Sequence, residues 1–202
     1  LDLESSDWNS VGGNNITQCN ELPLWIFDSA NNQIVGNSIH NNDPGWSSKG
    51  IYLLSCSDVN YITGNDISSN ADGIVLEDSS AQEITGNNIT FNNGQGIEFR
   101  NSHDVLVKSN DISGNTQGIS ATSNSYNITF ERNYIHDQIQ DGIYLEGSDD
   151  NTILLNNFTD NGQDGLELNL GADNTCVELN NFTGNSVCGL LFQGINLATV
   201  TG

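Results

Sequence analysis

The chain contains no methionine, only two prolines and only four basic residues, Lys49, Arg100, Lys108 and Arg132, against 26 acidic ones. A net charge of −22 excludes nucleic acid and anionic lipid as partners, because both demand a basic surface. It leaves room for a divalent cation, calcium being the natural one. No apolar run is long enough to cross a membrane, which excludes insertion. The absence of Met at position 1 reads as a processed or excised chain with its secretory signal gone. The histidines, His40, His103 and His136, form no cluster, and the four cysteines contain no CxxC. Metal-ligand spacing is therefore absent, and copper handling is not supported. Helical periodicity is missing as well.

What is present is a repeat. The phrase Ile-x-Gly-Asn-x-Ile-x-x-Asn, followed by Gly-Ile-x-Leu, recurs seven times. Its first Asn falls at Asn37, Asn65, Asn87, Asn110, Asn133, Asn156 and Asn180, and its second Gly at Gly50, Gly73, Gly96, Gly118, Gly142, Gly165 and Gly189. Most steps are 22 to 24 residues, a period that means a solenoid. Gly73-Ile74-Val75-Leu76-Glu77 alternates inward and outward residues as a half-buried strand does. Two shorter stretches, around Ile84 and Ile89, complete the repeat. Three short strands separated by Gly, Asn, Ser and Asp suit one coil of a parallel β-helix.

Stacking the repeats gives four apolar columns. They run from Ile51 to Leu190, Leu53 to Phe192, Ile34 to Val177 and Ile39 to Phe182. These columns supply a continuous core although only 35% of the residues are hydrophobic. The Asn column beginning at Asn37 belongs at a corner, each amide donating to one neighbouring coil and accepting from the other. A second column runs Asn42, Asn70, Asn92, Asn115, Gln138, Asn161, Asn185.

These motifs resemble the parallel β-helix repeats of the carbohydrate-binding and sugar-hydrolase superfamily, which includes NosD-like and pectate-lyase-like proteins. The resemblance covers residues 31 to 194 and implies an all-β, right-handed β-solenoid of about seven to eight coils. Residues 1–30 form an N-terminal segment with a partial first coil, since Asn14-Asn15-Ile16-Thr17 echoes Asn87-Asn88-Ile89-Thr90. Residues 195–202 form a β-prone tail of the same single domain. Stacking at about 4.8 Å per coil gives a rod of roughly 40 Å.

Five Asn-x-Thr sequons, at Asn15, Asn88, Asn127, Asn157 and Asn181, are candidates for glycosylation on export, four of them in one outward column. Cys19, Cys56, Cys176 and Cys188 lie two near each end and share no column. They are candidates for end staples within a subunit, or for disulfides between subunits, in an extracellular or cell-surface compartment. Trp46 falls on an insertion beside Pro44-Gly45. With Ile195, Leu197 and Val200 of the tail it forms the candidate interface. The tail either caps its own coil or pairs with another copy.

The outward face of the Gly-Ile-x-Leu strand carries Asp72, Glu77, Glu98, Arg100, Asp141, Tyr144, Glu146, Asp164 and Glu167. Asp141 and Asp164 occupy one position on successive coils, about 5 Å apart, a retaining-glycosidase separation at which one pKa rises beside the other. Asp141, Asp164, Glu146 and Glu167 are thus the candidate catalytic residues. A uronate lyase fits poorly, because only Arg100 stands there to neutralise a substrate carboxylate. The short bare solenoid and its apolar tail favour a non-enzymatic, secreted protein that self-associates through its ends into a filament, tube or layer. The alternatives are a carbohydrate-active enzyme or glycan-binding module using the acidic face, and a fragment of a larger adhesin or tail protein.

Overall fold

The computed structural model describes residues 1–42, 48–122 and 124–202; Trp46 lies outside the described residues. Among these, every regular element is a short strand, and the strands form three parallel sheets. Each strand pairs with the strand three later in the chain, so the first and second sheets hold nine strands each and the third holds eight. The chain therefore winds through one strand of each sheet per turn, as the repeat predicts. Residues 1–30 continue all three sheets: Asp2–Glu4 pairs with Leu24–Phe27, Ser10–Gly12 with Gln33–Val35, and Asn15–Thr17 with Ser38–His40.

The apolar columns stack in register. In the first sheet Ile51, Ile74, Ile97, Ile119 and Ile143 lie over one another, and the column is extended backwards by Leu24. In the second sheet Ile34 to Val177 gains Val11 at one end and Val200 at the other. Burial of these aliphatic faces is the main stabilising term of the fold.

The Asn column does what its position requires. Asn65 Nδ2 donates to Asn87 Oδ1 at 2.9 Å and to the Ile34 carbonyl at 2.9 Å, while its Oδ1 accepts the Asn37 backbone N–H at 2.9 Å. The same triple recurs at Asn87, Asn110 and Asn133. Every polar atom of a buried amide is thereby satisfied. The Gly ahead of each first-sheet strand answers to space. A Cβ on Gly96 would sit 2.6 Å from the Gly118 carbonyl and 2.9 Å from Ile112 Cγ2.

Two polar ladders escaped the sequence reading. Asn32, Asn60 and Gln82 line the corner before the second sheet. Ser79, Ser102 and Ser125 line the corner after the first, each hydroxyl accepting the N–H of the preceding coil. Cys56 takes a serine's place in that second ladder.

The cysteines do not approach one another. Cys19 and Cys188 sit at the corner between the third and first sheets, Cys56 at the corner between the first and second, and Cys176 within the second. All four are free thiols, and burial pushes the Cys56 thiol up. The tail folds onto its own coil: Ala198–Thr201 pairs with Thr175–Glu178, and Ile195 packs against the core. Leu197 and Val200 are exposed. Of the sequons, Asn15, Asn88, Asn127 and Asn181 are exposed, whereas Asn157 is half-buried and accepts from Asn181 Nδ2 at 2.8 Å.

Candidate active site

Eight of the nine residues assigned to the outward strand face gather into two groups, on the first sheet and at the corner ahead of it. The strands Ile143–Glu146 and Leu166–Asn169 hold the larger one. Alternation sends Ile143, Leu145, Leu166 and Leu168 into the core, so Tyr144, Glu146, Glu167 and Asn169 face outward. Asp141 and Asp164 stand just ahead of the glycines, where the chain turns from the third sheet into the first.

At that corner the two aspartates point along the coil axis. Asp141 Oδ1 accepts the Asp164 backbone N–H at 3.0 Å, and Asp164 Oδ1 accepts the Cys188 N–H at 2.7 Å. This is why they are 3% and 4% exposed, deeper than an outward position implies. Asp141 Oδ2 accepts Gln117 Nε2 at 3.2 Å. Carboxylate oxygens of Asp141, Asp164 and Glu167 lie within 4.8 Å of one another. Burial raises the Asp141 carboxyl above the usual range, and the neighbouring Asp164 charge adds to the rise. Burial also raises Glu167, reinforced by the charges of Asp141, Asp164 and Glu146.

Asn169 and Tyr144 complete the group. Asn169 Nδ2 donates to Glu167 Oε1 and to Tyr144 Oη, both at 3.2 Å, and Tyr144 Oη donates to Glu146 Oε2 at 2.7 Å. Burial and that acceptor push the Tyr144 phenol up to about 12. Glu146 is thus linked to Glu167 of the carboxylate trio through Tyr144 and Asn169. Asn169 and Gln117 were missed by sequence reading; the only signal for either was its place on an outward or corner column.

The smaller group absorbs the charge of Arg100. Arg100 donates to both oxygens of Glu98, at 2.8 and 2.7 Å, and lies 3.4 Å from Glu77. Tyr52 Oη donates to the same Glu77 oxygen at 2.9 Å. Asp72 stands apart at the corner column, accepting the Gln95 N–H at 3.1 Å. The histidines lie elsewhere: His103 pairs with Asp104, and His136 with Asp111 and Asp137.

The trio has the hard oxygen donors that calcium accepts. Yet both oxygens of Asp141 are already engaged by N–H groups, which leaves Asp164 Oδ2 and Glu167 as the open positions. Three carboxylates at this separation, one of them inclined to hold its proton, can instead perform acid–base and nucleophilic work on a glycosidic bond.

The fold has solved counterparts. The mannuronan C-5 epimerase AlgE4 A-module of Azotobacter vinelandii is 19% identical with a TM-score of 0.74, over 98% of this chain and 59% of that one. The periplasmic alginate epimerase AlgG is 17% identical with a TM-score of 0.70, over 94% and 50%. DFA-IIIase from Arthrobacter chlorophenolicus A6, in complex with GF2, is 15% identical with a TM-score of 0.75, over 94% and 54%. The chain thus spans between 50% and 59% of the length of these three, and at such identities the likeness is one of fold. No match was found among curated protein sequences. The expectation of a self-associating structural protein is overturned: the solved counterparts are carbohydrate-active enzymes, which favours the glycan-active alternative. The right handed beta helix region matches over residues 2–130 and 49–201, so the chain belongs to the right-handed parallel β-helix family.

Proposed function

We propose that this protein cleaves glycosidic bonds of an uncharged polysaccharide laid along the outward face of the first sheet. The observation that carries the reading is the approach of Asp141, Asp164 and Glu167 to within 4.8 Å from two adjacent coils. Glu167 is the general acid: burial raises its carboxyl, and the charges of three neighbouring carboxylates add to the rise. Asp164 is the nucleophile, with Oδ1 fixed by the Cys188 N–H and Oδ2 without a hydrogen-bond partner among the described residues. Asp141 is a positioning residue. Its two oxygens are committed, and its carboxylate contributes to the rise at Glu167.

In the first step Asp164 Oδ2 attacks the anomeric carbon as the glycosidic C–O bond breaks, and the Glu167 proton passes to the leaving oxygen. In the second, Glu167 takes a proton from water, whose oxygen displaces Asp164 from the sugar. The counterparts are named for carbohydrates, which supports a glycan substrate in general and not its charge. A polyuronate fits poorly, because the protein carries −22 and the Arg100 charge is spent on Glu77 and Glu98. The periplasmic description of AlgG supports an exported location for this chain.

The test is release of reducing ends from inulin, β-glucans and xylans. Asp164→Asn and Glu167→Gln should each lower the rate by at least about 10³-fold with an unchanged β circular-dichroism spectrum. An undiminished rate in Asp164→Asn, or no release by the wild-type protein, overturns the reading.

A further inference from the structure

The opposite end of the same sheet carries a second feature, chemically unlike the first. Trp25, on the strand Leu24–Phe27, stacks on Phe27 with ring centroids 5.4 Å apart and planes 26° from parallel. Its register partner on the next coil is Tyr52, and the Lys49 ammonium lies 4.8 Å from the centre of the Tyr52 ring. Three aromatic rings therefore occupy two successive coils of one outward face, each half-buried with a face or edge to solvent. No core requirement explains them, because the inward positions of these strands are already filled by Leu24, Ile26, Ile51 and Leu53.

Trp25 also lines a surface cavity of about 500 Å³, together with Asp2, Asn20, Glu21 and Leu22. Its indole Nε1 is buried and has no hydrogen-bond partner among the described residues. A buried N–H left unmade is unfavourable, and such groups in native proteins call for an explanation. An apolar ring wall and the acceptors Asp2 and Glu21 together form the lining that a polyhydroxylated ligand needs.

We propose that the Trp25 cavity and the Tyr52 ring form an anchoring subsite for an uncharged sugar unit. It would hold a polysaccharide remote from the carboxylates. This deepens, and rests on, the reading of the first sheet as a glycan-binding face. One register column of the first sheet joins the two places, Trp25, Tyr52, Val75, Glu98, Ser120, Tyr144 and Glu167, with Val75 and Ser120 buried beneath their neighbours. The six strand steps from Trp25 to Glu167 measure about 29 Å at about 4.8 Å each. The anchor thus makes the protein selective for chains of several sugar units over short oligosaccharides. The surrounding acidic side chains exclude anionic polymers from the same track.

Affinity electrophoresis of the full chain through gels containing inulin, β-glucan or xylan separates this proposal from the catalytic one. At least one polymer should retard the wild-type protein, and Glu167→Gln should be retarded equally. Trp25→Ala should bind about tenfold more weakly, and Trp25→Phe, which keeps a smaller stacking ring, should fall between. Short oligosaccharides of the same polymer, added as competitors, should displace it poorly. If Trp25→Ala and Trp25→Phe are retarded like wild type while Glu167→Gln is inactive, the anchor is wrong and the catalytic reading stands. If the Trp25 variants lose retardation while Glu167→Gln remains active, the anchor stands and the catalytic reading falls. Absence of retardation of the wild-type protein by every polymer overturns the anchor outright.

Discussion

Asp164 donates its backbone N–H to the Oδ1 of Asp141 at 3.0 Å, from one coil to the next. The bond places two acidic side chains in the slot that a neutral amide fills elsewhere in the solenoid. At the Asn corner Asn110 Oδ1 accepts the Asn87 N–H at 2.9 Å, and its Nδ2 satisfies a carbonyl below and an amide above. At the Asp141 corner the corresponding atoms are carboxylate oxygens, which repel across the coils. The protein tolerates an electrostatic penalty at one place in an otherwise self-satisfied stack, as a functional site does.

That penalty predicts a stabilising substitution. Asp141 and Glu167 are both raised in the folded state, so just above the ordinary carboxylate range the folded protein binds more protons than the unfolded chain. Stability attributable to these groups therefore falls as pH rises through that window. Asp141→Asn removes one of the charges, keeps an Oδ1 acceptor for Asp164 and needs only a flip of the Gln117 amide. We expect its Tm at pH 7 to exceed wild type by about 2–4 °C, the shift that about 1 kcal/mol makes in a domain of this size. The difference should shrink as pH is lowered, while cleavage activity falls. A lower Tm at pH 7 would count against this account of the corner.

The Asn ladder should be intolerant of truncation. Asn110→Ala removes the acceptor of the Asn87 backbone N–H, one of the two acceptors of the Asn87 Nδ2 and the side-chain donor to the Ile84 carbonyl, in a site that is 2% exposed. Loss of about 3 kcal/mol or more is expected in urea denaturation. A change below about 1 kcal/mol would show that water replaces the ladder.

Gly96→Ala should be comparably severe for a different reason. Its new methyl group meets the Gly118 carbonyl at 2.6 Å, and backbone cannot yield as a flexible side chain does. Destabilisation of about 3 kcal/mol, read by the same denaturation, follows from overpacking.

Leu155 offers the reverse case. The residue before each ladder Asn is left-handed, with φ of 64° at Gly86, 53° at Arg132 and 57° at Leu155. A leucine is strained there and is also partly exposed. Leu155→Gly should stabilise the protein by up to about 1 kcal/mol, net of the entropy glycine loses on folding. A destabilised variant would mean that Leu155 packs more than it strains.

The fold was legible because the aliphatic columns repeat without a gap: Ile74, Ile97 and Ile143 fall at one phase of the period and lie over one another in space. The residues before Ile34 were less legible. Leu24 and Ile26 continue the first-sheet columns, but the Asn and Gly punctuation that marks later repeats is absent around them. The serine ladder was hidden by its own variation, since Cys56 replaces one member and hydroxyl corners resemble ordinary turns. Asp141 and Asp164 were legible as neighbours because they share a column. Their burial was not, because it follows from the corner geometry that turns each carboxylate onto the next coil's N–H. Asn169 carries no signal in sequence beyond its outward phase, and its role rests on two 3.2 Å hydrogen bonds.

The most direct test of the catalytic account is the anomeric configuration of the sugar first released from a neutral polysaccharide, followed by proton NMR during turnover. Carboxylate oxygens within 4.8 Å lie closer than the roughly 6.5–9.5 Å of an inverting pair, so the account predicts retained configuration. Release with inverted configuration would contradict it.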